Sequence, residues 1–165
     1  MKKWGIWIGL AVLLAAGVLG LTLSHKQPIP VQPIAFSHKI HAGDYKINCE
    51  YCHSYARRAG VAGIPTVQRC MGCHKITAAD KPEVQKLQNY WNQKQPIRWI
   101  QVTSLPDYVY FEHWPHVRAG VKCQMCHGPV ETMEQTKQIN PLIMSRCLAC
   151  HRTEKVSIDC VTCHR

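Results

Sequence analysis

Phenylalanine is almost missing from this chain: there are two in 165 residues, within an aromatic content of 8%. Large aromatic side chains ordinarily supply much of a domain's buried area, so a conventional aromatic-rich core is excluded. Acidic residues are scarce as well, ten Asp and Glu against twenty Lys and Arg, which leaves a formal net charge of +10. No cysteine precedes Cys49, so the N-terminal region offers none for a lipoprotein anchor. All ten cysteines fall within one repeated pattern.

That pattern is Cys-x-x-Cys-His, present at Cys49–His53, Cys70–His74, Cys123–His127, Cys147–His151 and Cys160–His164. Two thiols three positions apart lie on one side of a helical turn, where each can form a thioether to a haem vinyl group, and the following His reaches the iron from the same side. It is the attachment pattern of c-type haem. Random placement of ten Cys and ten His would give roughly 0.04 such pentapeptides, so five copies with no cysteine left over are not accidental. Zinc knuckles do not need a His after every second cysteine, and a disulfide framework needs no His at all. The expected cofactors are therefore five covalently bound haems c. Cys49, Cys52, Cys70, Cys73, Cys123, Cys126, Cys147, Cys150, Cys160 and Cys163 would hold them, with His53, His74, His127, His151 and His164 as proximal iron ligands.

Two of the copies sit in a longer internal repeat. FSHKIHAGDYKINCEYCH, residues 36–53, returns as FEHWPHVRAGVKCQMCH, residues 111–127. Each has an aromatic, a His-x-x-His pair, a Gly-containing spacer and the attachment motif. His38 and His41, and likewise His113 and His116, are three apart and point to one face of a helical turn, which makes them the candidate distal ligands. One of five irons is then left without a His. Met133 and Met144 are the preferred candidates for it, since three motifs in the second half share one His pair. Met71 and Met125 lie inside their own motifs, and His25 lies in the spacer. A thioether ligand would give that haem a higher potential than its bis-His neighbours.

With the first 24 residues set aside, about 141 remain for five haems, or roughly 28 per haem, too few for a separate apolar core. The porphyrins are expected to form the core. The positive charge would ordinarily suggest nucleic acid, but ionised propionates on five oxidised haems bring +10 down to about +5, so no nucleic-acid partner is expected. Arg57, Arg58, Arg69, Arg98, Arg118, Arg146, Arg152 and Arg165 are candidate propionate partners.

In chain order, Lys2 and Lys3 precede an uncharged run over residues 4–24 that is long enough to cross a bilayer as a helix. The lysines place its start in the cytoplasm and the haem domain on the periplasmic side of the cell membrane. A cleaved signal peptide is the competing reading, though its apolar region is usually only about 7–15 residues long. Residues 25–35 form a Pro-rich spacer. Residues 36–165 form the haem domain, in which repeats 36–74 and 111–165 are joined by 75–110. A helix is expected from Asp80, as N-cap with Glu83 three residues on, to Lys94, with Val84, Leu87 and Trp91 on one face. An extended connector is expected over 96–110 and a second short helix over 130–139. No separate catalytic domain is expected after the fifth motif.

The His-x-x-His pairs ahead of paired attachment motifs resemble the cytochrome c3/c7 superfamily. PIAFSHKIHAG, LPDYVYFEH, HVRAGVKCQMCHG and PLIMSRCLACHR, with the apolar N-terminal run, are similar to the pentahaem cytochrome c subunit of alternative complex III. That resemblance implies a mainly α, loop-rich, c3/c7-like fold with one N-terminal transmembrane helix. It also implies an electron-relay role without catalysis of its own. Electrons would arrive from an iron–sulfur subunit fed by polytopic membrane subunits that oxidise quinol, and would leave for a monohaem cytochrome c or an oxidase. The related multihaem subunit of quinone-reducing complexes shares these phrases and runs electrons the other way. A tetrahaem-type quinol dehydrogenase and a free periplasmic shuttle are further alternatives.

Overall fold

The computed structural model describes residues 7–15, 17 and 29–164. Residues 7–15 and 17 are helical, and 7–15 are exposed. Among the described residues no helix is long and apolar enough to cross a membrane. The expected transmembrane run over 4–24 lies partly, and His25 and Arg165 lie wholly, outside the described residues.

From residue 29 on, short helices alternate with irregular chain, and no β-strand occurs among the described residues. A π-turn, Lys39–Asp44, is followed by α1 (Cys49–Cys52), α2 (Val67–His74), α3 (Pro82–Asn92), α4 (His113–Arg118), α5 (Cys123–His127), a 3-10 turn (Val130–Thr132), α6 (Met144–Thr153) and α7 (Cys160–Cys163). Every attachment motif therefore lies on a helical turn. Among the described residues few apolar side chains are buried: Ile34, Ala56, Met71, Val84, Leu87 and Met133, none completely. Ile34, Met71 and Leu87 make one small cluster, with Val67, Tyr90, Ile97 and Trp99 packed around it, so α2 and α3 rest on each other. A core this small lacks the apolar area that a chain of this length normally removes from water.

Three expectations are corrected. The helix begins at Pro82 with Lys81 as N-cap, not at Asp80, because Pro82 presets the backbone of the first helical residue. Asp80 instead lies 3.7 Å from Lys81, and Glu83 accepts a hydrogen bond from the Ala35 amide at 2.7 Å rather than closing a capping box. Trp91 is 37% exposed, with Lys75 Nζ 5.3 Å from its ring centre, and does not join Val84 and Leu87 in the core. The expected helix over 130–139 shrinks to the turn Val130–Thr132, since the segment beyond it turns its polar groups across the molecule. The Lys39 amide donates to the Met133 carbonyl (3.0 Å), Ser37 Oγ donates to Glu134 (2.7 Å), and Lys39 pairs with Glu134 (3.0 Å). The stretch 96–110, expected as an extended connector, carries no helix or strand and turns at residues 107–108, and it is held at two points. Gln32 exchanges two hydrogen bonds with the Ile100 backbone (2.8 and 2.9 Å), and the Tyr110 amide donates to the Cys163 carbonyl (2.6 Å).

The π-turn packs directly on the 3-10 turn, and Gly43 makes this contact: a Cβ there would run into the Glu131 carbonyl oxygen. Backbone cannot swing aside as a side-chain tip can. Gly43→Ala is expected to cost about 1–3 kcal/mol, read as a lowered melting temperature. An unchanged melting curve would show that the two turns do not need this approach.

Candidate haem attachment sites

None of the ten cysteines is paired in a disulfide, and each is exposed or half-buried. The helical turns bring the two thiols of each motif to one side, and the motif His closes the turn or directly follows it. Thiols of different motifs also approach one another. Cys123 lies within electrostatic reach of Cys49. Cys52 lies within electrostatic reach of Cys73 and of Cys70, and Cys126 of Cys147 and Cys150. Burial is the largest influence on Cys52, Cys70, Cys123 and Cys126 and pushes each thiol up. The attachment points thus neighbour one another in the order second, first, third, fourth, which differs from their order in the chain.

The imidazoles are aimed by their Nδ1 atoms. Seven of them contact a backbone carbonyl: His41 that of Ser37 (2.8 Å), His53 Gly63 (2.6 Å), His74 Thr77 (3.0 Å), His113 Gly60 (2.7 Å), His116 Glu112 (2.8 Å), His151 Ser157 (2.7 Å) and His164 Tyr108 (3.1 Å). His38 Nδ1 contacts the Thr136 hydroxyl at 2.9 Å. A carbonyl at Nδ1 fixes the tautomer with the proton there and leaves Nε2 free to bind a metal. Sequence reasoning missed this outer layer because a carbonyl acceptor can come from any residue type.

Motif and distal rings then meet in pairs. Ring centres of His41 and His74 are 6.0 Å apart, those of His113 and His127 6.3 Å and nearly parallel, and those of His116 and His151 6.0 Å. Two metal–imidazole bonds of about 2 Å, each extended by about 1.1 Å to the ring centre, put two rings that share one metal about 6.2 Å apart. The residues present therefore fit an iron between each pair. His38 lies next to His53: its pKa is lowered to about 4, by burial first and then by His53 and His41. Burial, followed by His113 and His53, also lowers His127. Phe36 stacks on His41 and meets His38 edge-on, and Phe111 lies tilted against His116 and meets His113 edge-on. That explains why an aromatic opens each repeat.

His164 stands apart, since no second imidazole faces it among the described residues; its ring lies 5.9 Å from that of Tyr108. Met133 is buried beside the π-turn, whereas Met144 is 60% exposed at the start of α6. Met71 belongs to the small core, and Met125 is exposed. Of the candidate propionate partners, Arg57 pairs with Glu50 (2.7 Å), Arg69 lies over Tyr51, Arg118 lies over Trp114 and donates to the Arg57 carbonyl, and Arg146 donates to the Met125 carbonyl. Arg58, Arg98 and Arg152 are exposed.

Short helices that present Cys-x-x-Cys-His, opposed by imidazoles at the spacing of a shared metal, define a multihaem c-type cytochrome, an electron-transfer protein. The chain belongs to the class III cytochrome c family, which its residues 22–104 match, and residues 109–165 match the family described as cytochrome c7 and related cytochrome c. It is 29% identical over 161 residues to the menaquinone reductase multihaem cytochrome c subunit of Nitratidesulfovibrio vulgaris (strain Hildenborough), an alignment covering 81% of this chain and 77% of the relative.

Proposed function

We propose that the chain carries five covalently bound haems c and relays electrons as a subunit of a quinone-linked oxidoreductase complex. In this reading its N-terminal segment holds it at the periplasmic face of the cell membrane. The observation that carries the relay is the set of opposed imidazoles 6.0, 6.3 and 6.0 Å apart, joined by the neighbouring His38 and His53. When bound, each haem supplies a one-electron iron couple. The chain's own residues would do the rest: the cysteines would hold the haems by thioether bonds, the paired imidazoles would ligate four irons, and the Nδ1 contacts keep all the paired rings but that of His127 from turning away. Distal ligands are assigned as His38 opposite His53, His41 opposite His74, His113 opposite His127 and His116 opposite His151.

The relative's name supports a place beside quinone chemistry. Two directions of flow fit that place. The resemblance to alternative complex III implies electrons passing from an iron–sulfur subunit to a monohaem cytochrome or an oxidase, the name of the menaquinone reductase relative supports flow toward the quinone pool, and the four phrases, common to both, do not choose between them. Purification in mild detergent tests the reading. Five haems per chain, together with iron–sulfur and polytopic subunits, are expected. A shortened, water-soluble cytochrome isolated without partners would sink the subunit reading, and reduction by a menaquinol analogue in the purified complex would decide between the directions.

For the fifth iron, opposite His164, the proposed ligand is the thioether of Met133 or Met144. Met→Leu nearly conserves volume, so the correct substitution is expected to abolish a weak near-infrared band of the oxidised protein without a change of fold. It is also expected to change the potential of the highest-potential haem. If neither substitution alters band or titration, Met ligation is wrong.

A further inference from the structure

The two halves hold each other's histidines. The loop after the first motif supplies the Gly60 carbonyl, which accepts from both the His113 amide (2.9 Å) and His113 Nδ1 (2.7 Å). The segment after the third motif supplies Thr136, whose hydroxyl lies 2.9 Å from His38 Nδ1. The positions correspond across the repeat, because the first His of each pair is held by the chain that follows the other half's attachment motif, whereas His41 and His116 are held by carbonyls of their own turns. The partners do not correspond: one is a peptide carbonyl, the other a hydroxyl. Among the Nδ1 contacts of the described haem-site histidines, that of His38 alone is made by a side chain.

We propose that Thr136 is a positioning and potential-tuning residue for the haem held by Cys49, Cys52 and His53, acting through His38. With Nε2 on the metal, His38 Nδ1 carries the proton and donates it to Thr136 Oγ1. That hydrogen bond fixes the ring plane and makes the imidazole a stronger electron donor, which favours ferric iron. A hydroxyl accepts less strongly than a peptide carbonyl. With a hydroxyl in place of a carbonyl at Nδ1, His38 therefore lowers the potential of the first haem less than a carbonyl-held distal imidazole such as His113 would. Thr136 is half-buried and the segment around it is tied down independently, by Glu134 to Ser37 and Lys39 and by the Met133 carbonyl to the Lys39 amide. Losing the hydroxyl therefore leaves the segment in place.

The inference rests on the haem reading above, and the test separates the two. Thr136→Val and Thr136→Ser are compared with the parent in the full-length, haem-loaded protein by haem content, redox titration and low-temperature EPR. Thr136→Val removes the acceptor at nearly constant shape, so one midpoint potential is expected to rise and one low-spin EPR component to shift. Thr136→Ser is expected to restore both. In a His38→Ala background, Thr136→Val is expected to move nothing further. Full haem content with an unchanged titration and EPR spectrum in Thr136→Val would overturn the inference, as would a lowered melting temperature with potentials unmoved. A preparation with no covalently bound haem would instead overturn the reading beneath it.

Discussion

Cys52→Ala is expected to yield a chain that loses one haem and does not keep the rest in a native fold. Cys52 lies within electrostatic reach of both thiols of the second motif, and its partner Cys49 within that of Cys123 of the third. The haem attached there is central to the row of attachment points. The polypeptide has little to offer in its place, because among the described residues its own buried apolar side chains are six, none of them completely enclosed. Truncating one buried aromatic costs about 3–5 kcal/mol, and a macrocycle is larger than any side chain. A fall in melting temperature of at least about 10 °C follows for a domain of this size. Cys160→Ala makes the contrast. The fifth motif ends the row, with Cys160–Thr162 exposed and Cys163 and His164 half-buried, and is held chiefly through the Tyr110 amide and Tyr108 carbonyl, so its loss is expected to remove one haem with a much smaller fall. Pyridine haemochrome assays and thermal melts of the two variants check both. Equal, small falls would show that the porphyrins do not constitute the core.

What could be read beforehand was whatever is local in sequence. A Cys-x-x-Cys-His turn and a His-x-x-His turn each need only a few consecutive residues, and both types of turn stand where the repeat puts them. Partners across the molecule carry no such signature. Nothing in HKIH says that His41 meets His74 while His38 lies beside His53; that depends on which turn faces which motif after folding. The segment 130–139 has helix-forming composition around Met133, yet Glu134 and Thr136 spend their hydrogen bonds on Ser37, Lys39 and His38, and tertiary bonds override local propensity there. For the same reason the stretch 96–110 looked like a passive connector. Its contribution to the site is the backbone carbonyl of Tyr108, and a carbonyl leaves no trace in residue identity.

His113→Ala is expected to convert one low-spin iron, that of the motif Cys123–His127, into a high-spin centre that binds carbon monoxide when reduced. The His113 ring lies parallel to that of His127 at 6.3 Å, and its amide and Nδ1 are both fixed by the Gly60 carbonyl, so no neighbouring imidazole is poised to take its place. About one carbon monoxide per chain should bind beyond the amount bound by the parent. Added imidazole should compete for the site, because it restores the missing donor without restoring the tether. The pairing itself is tested by combining variants. In a His127→Ala chain, whose third haem would keep both thioether bonds and whose iron would already bind carbon monoxide, His113→Ala should add no further equivalent, since the iron it would expose is already open. In the same background His116→Ala should still add one equivalent, because its ring faces His151 at 6.0 Å and serves the fourth motif. The reverse pattern, silence from His116→Ala and a gain from His113→Ala, would show that the pair is crossed and that the ring geometry has been misassigned. If both variants are silent in the otherwise intact chain, these histidines are not ligands.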